Sequence, residues 1–328
     1  DARNMRIGLS LVLLAAAASA EGFSEDDLRQ EFAELKASVA QALDMPPEWK
    51  VGLRVVRNDS DWAAPDPAEL DSSSRRRLAG RRRLFEKLGL TGSGPRPQDR
   101  KAPCVWYDQG SGEVFVVASV LLGFNPRTRR VALLHELIHA YRFGAEEVSP
   151  LGHAPLGMDF DRAYAELCTV EGDASLLSVV FQWGLDEERR DLSLFTWIRK
   201  HREVAKLFEE SNRAWAFETA DAERLDSAPY RAGYLFSFEV FAEGGLDRLR
   251  ATLRDPPGTM EQVLHPEKYL AETRETPTQF VWPEPPDPIA EGWQCIDFGI
   301  LGEYHLRMAL QAHLSRERAE QACAGWDG

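Results

Sequence analysis

Residues 131–143 read VALLHELIHAYRF, and this stretch decides which fold and which chemistry the chain is expected to have. On an α-helix, His135 and His139 are separated by about 40° around the axis and about 6 Å along it, so both imidazoles can reach one ion. Glu136 lies about 100° from His135, where it can take a proton from a water on the open side of that ion. The HExxH pattern therefore predicts a catalytic zinc site on a helix.

The apolar residues of the same stretch predict how this helix is buried. Val131, Leu137, Ile138 and Tyr141 all lie within about 60° of Leu134 around the helix axis, so they form one apolar stripe. The two histidines fall at the border of that stripe. We therefore expect a helix that packs on its leucine side and points its histidines sideways into an enclosed space, between core and cleft.

The composition sets the class of protein. The chain has 328 residues, of which 44% are hydrophobic and 28% charged, as in soluble globular proteins of one or two domains. Its net charge of −14 argues against nucleic-acid binding, because phosphate contacts require a surplus of lysine and arginine. We expect no nucleic-acid partner.

The N-terminal segment predicts export. Met5 and Arg6 precede an apolar run at 7–18, and the small residues up to Ala20 then give way to Glu21. A charged start, a short apolar core and a small-residue cleavage site are typical of a secretory signal peptide, here residues 1–20 with their upstream extension. The alternative is an uncleaved N-terminal anchor. The prediction is a secreted, periplasmic or cell-surface protein with no stable membrane span after cleavage.

Four cysteines accompany this prediction. The chain has an even number of cysteines and is expected to reach an oxidising compartment, so it could form two disulfides among Cys104, Cys168, Cys295 and Cys323. A buried free thiol at Cys168 is an equal alternative. None of the four lies in a CxxC pair, which argues against a cysteine zinc site.

Sequence periodicity predicts a mainly helical α+β chain with a small sheet ahead of the HExxH helix. A helix is expected from Ser24 to Leu43, strands at 51–56 and 113–120, and a helix that begins at Asn125 as N-cap. The arginine-rich segment 72–90 is interpreted as a solvated helix rather than a propeptide processing site. Further helices are predicted at 160–181, 192–217, 230–243, 246–254 and 300–318. Residues 21–100 form a mixed N-terminal segment and 101–328 the catalytic domain, unless 21–328 is one domain.

A catalytic zinc usually has a third protein ligand, and helix 160–181 offers two glutamates for it. Glu171 shares its face with apolar and small residues, so its carboxylate is expected to be buried and to need a cation. Glu166 falls on the opposite side with Arg162 and Asp173, where Arg162 and Glu166 form a surface pair. We predict Glu171 as the ligand. A buried glutamate that is satisfied by hydrogen bonds is the alternative.

Two other sources of a third ligand are weaker. The histidine used by metzincins would stand six residues after His139, where this chain has Ala145, with Arg142 in place of the glycine that precedes it, so that class is excluded. His153 lies in a loop rich in proline and glycine and is the less favoured choice.

The sequence HELIH followed about thirty residues later by EGDA resembles the gluzincin metallopeptidases, whose third ligand is a glutamate on the next helix. It is also similar to a group of secreted or membrane-linked bacterial and archaeal proteins with the motifs HELxHA, VEGDA and PxSTEQxLHPxxY. The last appears here as PGTMEQVLHPEKY at 257–269, and the resemblance covers about 84–310. It departs at 140–144, and the aminopeptidase signature GAMEN is absent.

This resemblance implies a zincin-like fold, a Zn²⁺ cofactor held by His135, His139 and Glu171, and a peptide or protein substrate. Glu136 is then the general base and later the proton donor to the leaving amine. Tyr230, His265 and Tyr269 are candidates for stabilising the oxyanion, and for each of them the alternative is a side chain that caps a turn. The strand predicted at 113–120 is the expected edge strand for substrate.

Two alternatives from other classes stay open. One is a zincin-fold protein with a structural or binding role and little turnover, and the other is a membrane-tethered module without metal. An intact Glu136 favours the enzyme over a purely structural zinc site.

Overall fold

The computed structural model describes residues 7–8, 23–43, 49–56, 72–90, 104–145, 159–186, 221–278 and 299–326, and helices dominate in them. The helices are α1 Glu25–Ala42, α2 Ser72–Lys87, α3 Ala118–Leu121, α4 Pro126–Ala145, α5 Phe160–Asp186, α6 Asp221–Arg254, α7 Met260–Leu264, α8 Pro266–Leu270, α9 Glu303–Gln311 and α10 Arg316–Cys323. A small sheet precedes α4, so the predicted α+β class is confirmed. The helix predicted at 192–217 and the loop residues after 278 lie outside the described residues.

Four strands form one mixed sheet. These strands are β1 Ile7–Gly8, β2 Gly52–Val56, β3 Val105–Asp108 and β4 Glu113–Val117, in the order β1-β3-β4-β2. β3 and β4 form an antiparallel hairpin, and β2 pairs with β4 in parallel. The prediction that 113–120 forms an edge strand is therefore wrong, because β4 has a neighbour on both sides. The strand also ends at Val117, where α3 begins.

Helix α1 begins and packs as its sequence predicts. The Ser24 hydroxyl accepts the backbone N–H of Asp27 at 3.2 Å, and the Asp27 carboxylate accepts the backbone N–H of Ser24 at 2.8 Å. This capping box satisfies backbone donors that the first helical turn leaves free. On the buried side, Glu31 accepts Arg129 of α4 at 2.6 Å and Arg130 at 2.9 Å. A buried ion pair therefore ties α1 to the start of α4.

Helix α4 is the centre of the fold. It begins as predicted, with the Asn125 side chain accepting the N–H of Thr128 at 2.9 Å and Pro126 in the first helical position. Its residues 132–142 are all buried, between the sheet, α1 and α5. The histidines lie inside the protein.

Helices α5 and α6 cross at two glycines. A Cβ added to Gly172 would lie 2.1 Å from the carbonyl carbon of Gly233, and one added to Gly233 would lie 2.0 Å from the Cys168 oxygen. Only residues without a side chain allow backbones to approach this closely. The two helices predicted at 230–243 and 246–254 belong to α6, with a break at Gly245, whose φ is +67°.

One hydrophobic core joins the N-terminal and C-terminal elements. It contains buried side chains of α1, the sheet and helices α3 to α8, including Leu28, Val116, Leu137 and Phe236. The elements of segment 21–100 that precede α2 thus share the core of α4. The predicted helix 300–318 is two helices, α9 and α10.

Three of the four cysteines lie in the described residues. Cys104, Cys168 and Cys323 are buried free thiols, so no disulfide joins them. Cys295 lies outside the described residues. Among the helices that can be described, none combines the length and hydropathy needed to cross a membrane.

Candidate metal centre

Three buried side chains meet between α4 and α5. His135 Nε2 lies 2.9 Å from His139 Nε2 and 3.1 Å from Glu171 Oε2, and His139 Nε2 lies 3.4 Å from the same carboxylate oxygen. Ligands at about 2.05 Å from a tetrahedral zinc are about 3.3 Å from one another, so this triangle has the size of one face of a zinc tetrahedron. Two imidazole nitrogens and one carboxylate oxygen also form a donor set typical of catalytic zinc.

Unsatisfied atoms around this triangle fit a bound cation. Glu171 Oε1 and Glu136 Oε1 are buried, and neither has a hydrogen-bond partner in the described part of the chain. Leaving buried carboxylate oxygens without partners costs free energy. A divalent cation on the triangle and a water beside it would satisfy both atoms. The residues present therefore fit a zinc ion.

The pKa values show how the metal-free cluster holds its charge. Burial and, to a smaller extent, the neighbouring His139 lower the pKa of His135 to about 4, although Glu171 and Asp173 oppose this decrease. Burial also acts against the charged forms of His139 and Glu171, but their mutual attraction raises the pKa of His139 and lowers that of Glu171 to about 2. Opposite charges on His139 and Glu171 thus stabilise each other in this buried cluster. A dication bound to the triangle would supply positive charge to Glu171 in the same way.

Glu136 lies beside the triangle, and the sheet holds it there. Its Oε2 accepts the backbone N–H of Tyr107 at 2.7 Å. Burial raises the pKa of Glu136 to about 8, and Glu171 adds to the increase, while His139 and the Tyr107 N–H oppose it. One carboxylate oxygen is therefore fixed by the backbone of β3, which leaves Oε1 for another donor.

The hydrogen-bond pattern of the hairpin explains why Tyr107 faces Glu136. The Val117 N–H donates to the Cys104 oxygen, and backbone groups alternate in direction along an antiparallel strand. Cys104, Trp106 and Asp108 therefore face β4, whereas Tyr107 faces outward, toward the metal centre. The strand beside Glu136 is β3 and not β4.

Helix α5 contributes more than the candidate third ligand. The structure brings Glu171 to the histidines, while Glu166 pairs with Arg162 at 3.0 Å on the surface, as expected. Asp173 was expected on that same exposed side, and this expectation is wrong. Asp173 is buried and accepts two hydrogen bonds from Arg142 of α4, at 2.8 and 2.9 Å, because α5 is covered on two sides by neighbouring helices.

Of the residues expected to stabilise the oxyanion, Tyr230 lies beside the triangle. Its ring centroid is 6.0 Å from that of His135. His265 hydrogen-bonds Glu303 of α9 at 3.1 Å, and no described contact joins it to the three ligands. The Tyr269 hydroxyl donates to the Asp255 oxygen at 2.7 Å, so it caps a turn. His153 lies outside the described residues.

Sequence reasoning missed two features of this centre, and only the first of them left a signal in the sequence. Arg142 stands in the buried run AYRF, and an arginine there requires a buried acidic partner. Nothing in the local sequence indicates the Tyr107 backbone contact, because 29 residues separate it from Glu136. Chemically, the centre can hold one divalent cation and deprotonate a water next to it. Comparison of this chain with protein-family models, with curated proteins and with solved structures found no match.

Proposed function

We propose that this protein is a zinc-dependent peptidase of zincin-like fold, exported by its N-terminal signal, which hydrolyses peptide bonds in peptide or protein substrates. The observation that carries the proposal is a buried triangle of His135, His139 and Glu171 with the Glu136 carboxylate beside it. Structural zinc sites are closed by four protein ligands, whereas catalytic sites keep one position open. The described residues offer three ligands, which favours a catalytic site.

Zinc bound to this triangle would supply Lewis acidity, polarising the substrate carbonyl and lowering the pKa of a water. Glu136 accepts the proton of the attacking water on Oε1, the oxygen that Tyr107 leaves free, and then passes the proton to the leaving amine. Burial raises the pKa of Glu136 to about 8 when no cation is near, and a zinc ion on the triangle would lower that pKa, so the carboxylate would be ionised and able to act as a base. The fixed Oε2 keeps Oε1 pointed in one direction while the proton moves.

Tyr230 is the electrophilic partner in this proposal. Its ring neighbours His135, so its hydroxyl can donate to the carbonyl oxygen as negative charge develops there. His265 has no part in the proposal, since Glu303 engages its imidazole.

The outward edge of β3 supports a peptide as substrate. Ile7 and Gly8 pair there in antiparallel fashion, opposite Tyr107 and Trp106. The edge that carries the Tyr107 contact to Glu136 thus accepts an extended backbone. A substrate segment would add a strand at this place once the signal peptide is removed, with main-chain hydrogen bonds giving affinity for peptides in general.

Cleavage of a mixed peptide library tests the proposal. Wild-type protein, Glu136→Gln and Glu166→Gln would be loaded with zinc and their metal content measured before the assay. We expect Glu136→Gln to keep its zinc and to lose cleavage at least a hundredfold, since it removes the base alone. Glu166→Gln makes the same change on the surface and should cleave like wild type.

Two results would reject the proposal. A zinc-loaded wild type that cleaves no peptide would indicate a structural or binding role. Equal cleavage by wild type and Glu136→Gln would exclude Glu136 as the base.

A further inference from the structure

We propose that Arg142 and Asp173 are positioning residues, which hold Glu171 against the two histidines and so set the affinity of the metal centre. The inference rests on the proposed binding of zinc. It concerns the two hydrogen bonds that the Arg142 guanidinium donates to the two carboxylate oxygens of Asp173.

The order Glu171-Gly172-Asp173 distributes three contacts around α5. Successive helical residues are about 100° apart, so the shorter way around the axis from Glu171 to Asp173 is about 160°. Gly172 lies on the opposite side of the helix from the middle of that arc. Gly172 meets Gly233 of α6. Glu171 and Asp173 both reach α4, which therefore lies on the side of α5 opposite to α6.

Helix α4 presents matching groups. Arg142 follows His139 by three residues, so the two side chains lie on neighbouring lines of the helix, about 60° apart and about 4.5 Å along the axis. The two helices are thus joined at two points, through the histidines with Glu171 and through Arg142 with Asp173. Two contacts that straddle the line between the helix axes resist rotation of α5 about its axis. Such rotation would move Glu171 away from the histidines.

The chemistry of the ion pair suits a fixed geometry. The planar guanidinium makes two parallel hydrogen bonds, which define the direction of the carboxylate as well as its distance. Both side chains are only about 2% exposed. A buried ion pair contributes little net stability compared with apolar side chains of the same size. We therefore expect this pair to fix the position of α5, and with it Glu171, more than to stabilise the fold.

Charge balance supports the same role. Glu136 of α4 and Glu171 and Asp173 of α5 are three buried carboxylates on the two helices that form the metal centre. Arg142 neutralises Asp173. The carboxylates that then remain are Glu171, the proposed metal ligand, and Glu136, the proposed base for the attacking water.

The test compares four variants of the full chain with wild type. Arg142→Lys keeps the charge but loses the two-pronged geometry, and Asp173→Asn keeps the shape but loses the charge. The double variant Arg142→Met with Asp173→Leu replaces the pair by apolar side chains of similar size, which buried ion pairs commonly tolerate with the fold intact. The control is Arg129→Lys, which alters the other buried ion pair of α4, with Glu31.

Each variant would be checked for folding by circular dichroism, and its zinc affinity measured by competition with a chelator. Binding of Co²⁺ in place of zinc adds a spectrum that reports the ligand set. We expect at least a tenfold weaker zinc affinity in the two single variants and in the double variant, with a cobalt spectrum changed by loss of the Glu171 ligand. Arg129→Lys should match wild type in both measurements.

The outcomes separate this inference from the proposed function. If the folded double variant and Asp173→Asn bind zinc as tightly as wild type, with the same cobalt spectrum, the pair only stabilises the fold and the inference is wrong. If wild type itself binds no zinc, both this inference and the proposed function are overturned.

Discussion

Gly172 of α5 and Gly233 of α6 are in direct backbone contact, one residue after the carboxylate assigned as third ligand. A methyl group on Gly172 would lie 2.1 Å from the Gly233 carbonyl carbon and oxygen, well inside any real contact distance. The rotation and depth of α5 at Glu171 are therefore set by a glycine crossing on one side and by Arg142 on the other.

Substitution of Gly172 by alanine should damage both stability and metal binding. Alanine in a helix interior is ordinarily favourable by about 1 kcal/mol over glycine, but here its Cβ would force α5 and α6 apart, a change that typically costs about 1–3 kcal/mol. We expect a lower free energy of unfolding in urea and weaker zinc binding. Gly144→Ala is the matched control, because Gly144 is an exposed helical glycine with nothing within 4 Å of the added Cβ.

If Gly172→Ala were as stable as its control and bound zinc equally well, the crossing would be looser than the structure indicates.

Substitution of Tyr230 by phenylalanine should lower turnover and leave the metal in place. The ring next to His135 is kept, whereas the hydroxyl that we assign to the oxyanion is lost. Loss of one such donor commonly costs a factor of about 10² to 10³ in kcat. Steady-state kinetics on a cleaved peptide and zinc analysis measure the two effects. Tyr269→Phe serves as control, since the Tyr269 hydroxyl caps the turn at Asp255. A Tyr230→Phe enzyme with unchanged kcat would remove Tyr230 from the proposed mechanism.

Zinc should stabilise the folded protein by mass action. A ligand that binds only the native state at a free concentration of about 100 times Kd raises the free energy of unfolding by about 2.7 kcal/mol. We expect Tm to rise on addition of zinc and to return to its original value on addition of a chelator. In Glu171→Gln the shift should be much smaller, because the carboxylate ligand is gone. An equal shift in Glu171→Gln would mean that the stabilising zinc binds elsewhere.

A third buried histidine, His305, lies outside the metal centre and should make the protein sensitive to acid. His305 lies among the rings of Phe85, Tyr164 and Tyr304, and burial lowers its pKa to about 4. The ordinary pKa of histidine is about 6.5, so as the pH falls the unfolded chain takes up this proton first and gains stability relative to the folded state. The contribution of His305 to stability is full above about pH 6.5 and falls between there and about pH 4.

His305→Phe should remove this part of the acid sensitivity. Linkage predicts that between about pH 7 and about pH 5 wild type loses about 2 kcal/mol more in the free energy of unfolding than the variant does. Urea unfolding at the two pH values measures the difference, and His313→Phe, at an exposed position, is the control. Parallel losses in wild type and His305→Phe would show that His305 is protonated in the folded protein as readily as in the unfolded chain.

The sequence predicts best what depends on neighbours along the chain. Ser24 and Asn125 mark helix starts because each bonds a backbone N–H three residues on, and this pattern is visible in the sequence. The choice of Glu171 over Glu166 as a buried residue follows from helical periodicity and from the free-energy cost of burying a carboxylate without a partner. These predictions need no knowledge of which elements pack together.

The errors come from contacts between distant parts of the chain. The resemblance to gluzincins implies an edge strand at 113–120, but β2 pairs with β4 from some sixty residues earlier, and no local pattern indicates this pairing. Asp173 was placed in solvent because a helical wheel can identify one buried face, whereas α5 is buried by α4 and α6 together. His265 was considered for the active site, but its partner Glu303 is 38 residues away.

The central claim is that His135, His139 and Glu171 bind zinc with Glu136 beside it, outside the ligand set. Anomalous X-ray diffraction at the zinc absorption edge, from crystals grown with zinc, tests it most directly. We predict one strong site per chain, about 2.0–2.2 Å from His135 Nε2, His139 Nε2 and a Glu171 oxygen, with Glu136 Oε1 free of the metal. Zinc bound at other residues only, or a zinc-free triangle that keeps its imidazole–carboxylate hydrogen bonds, would contradict the claim.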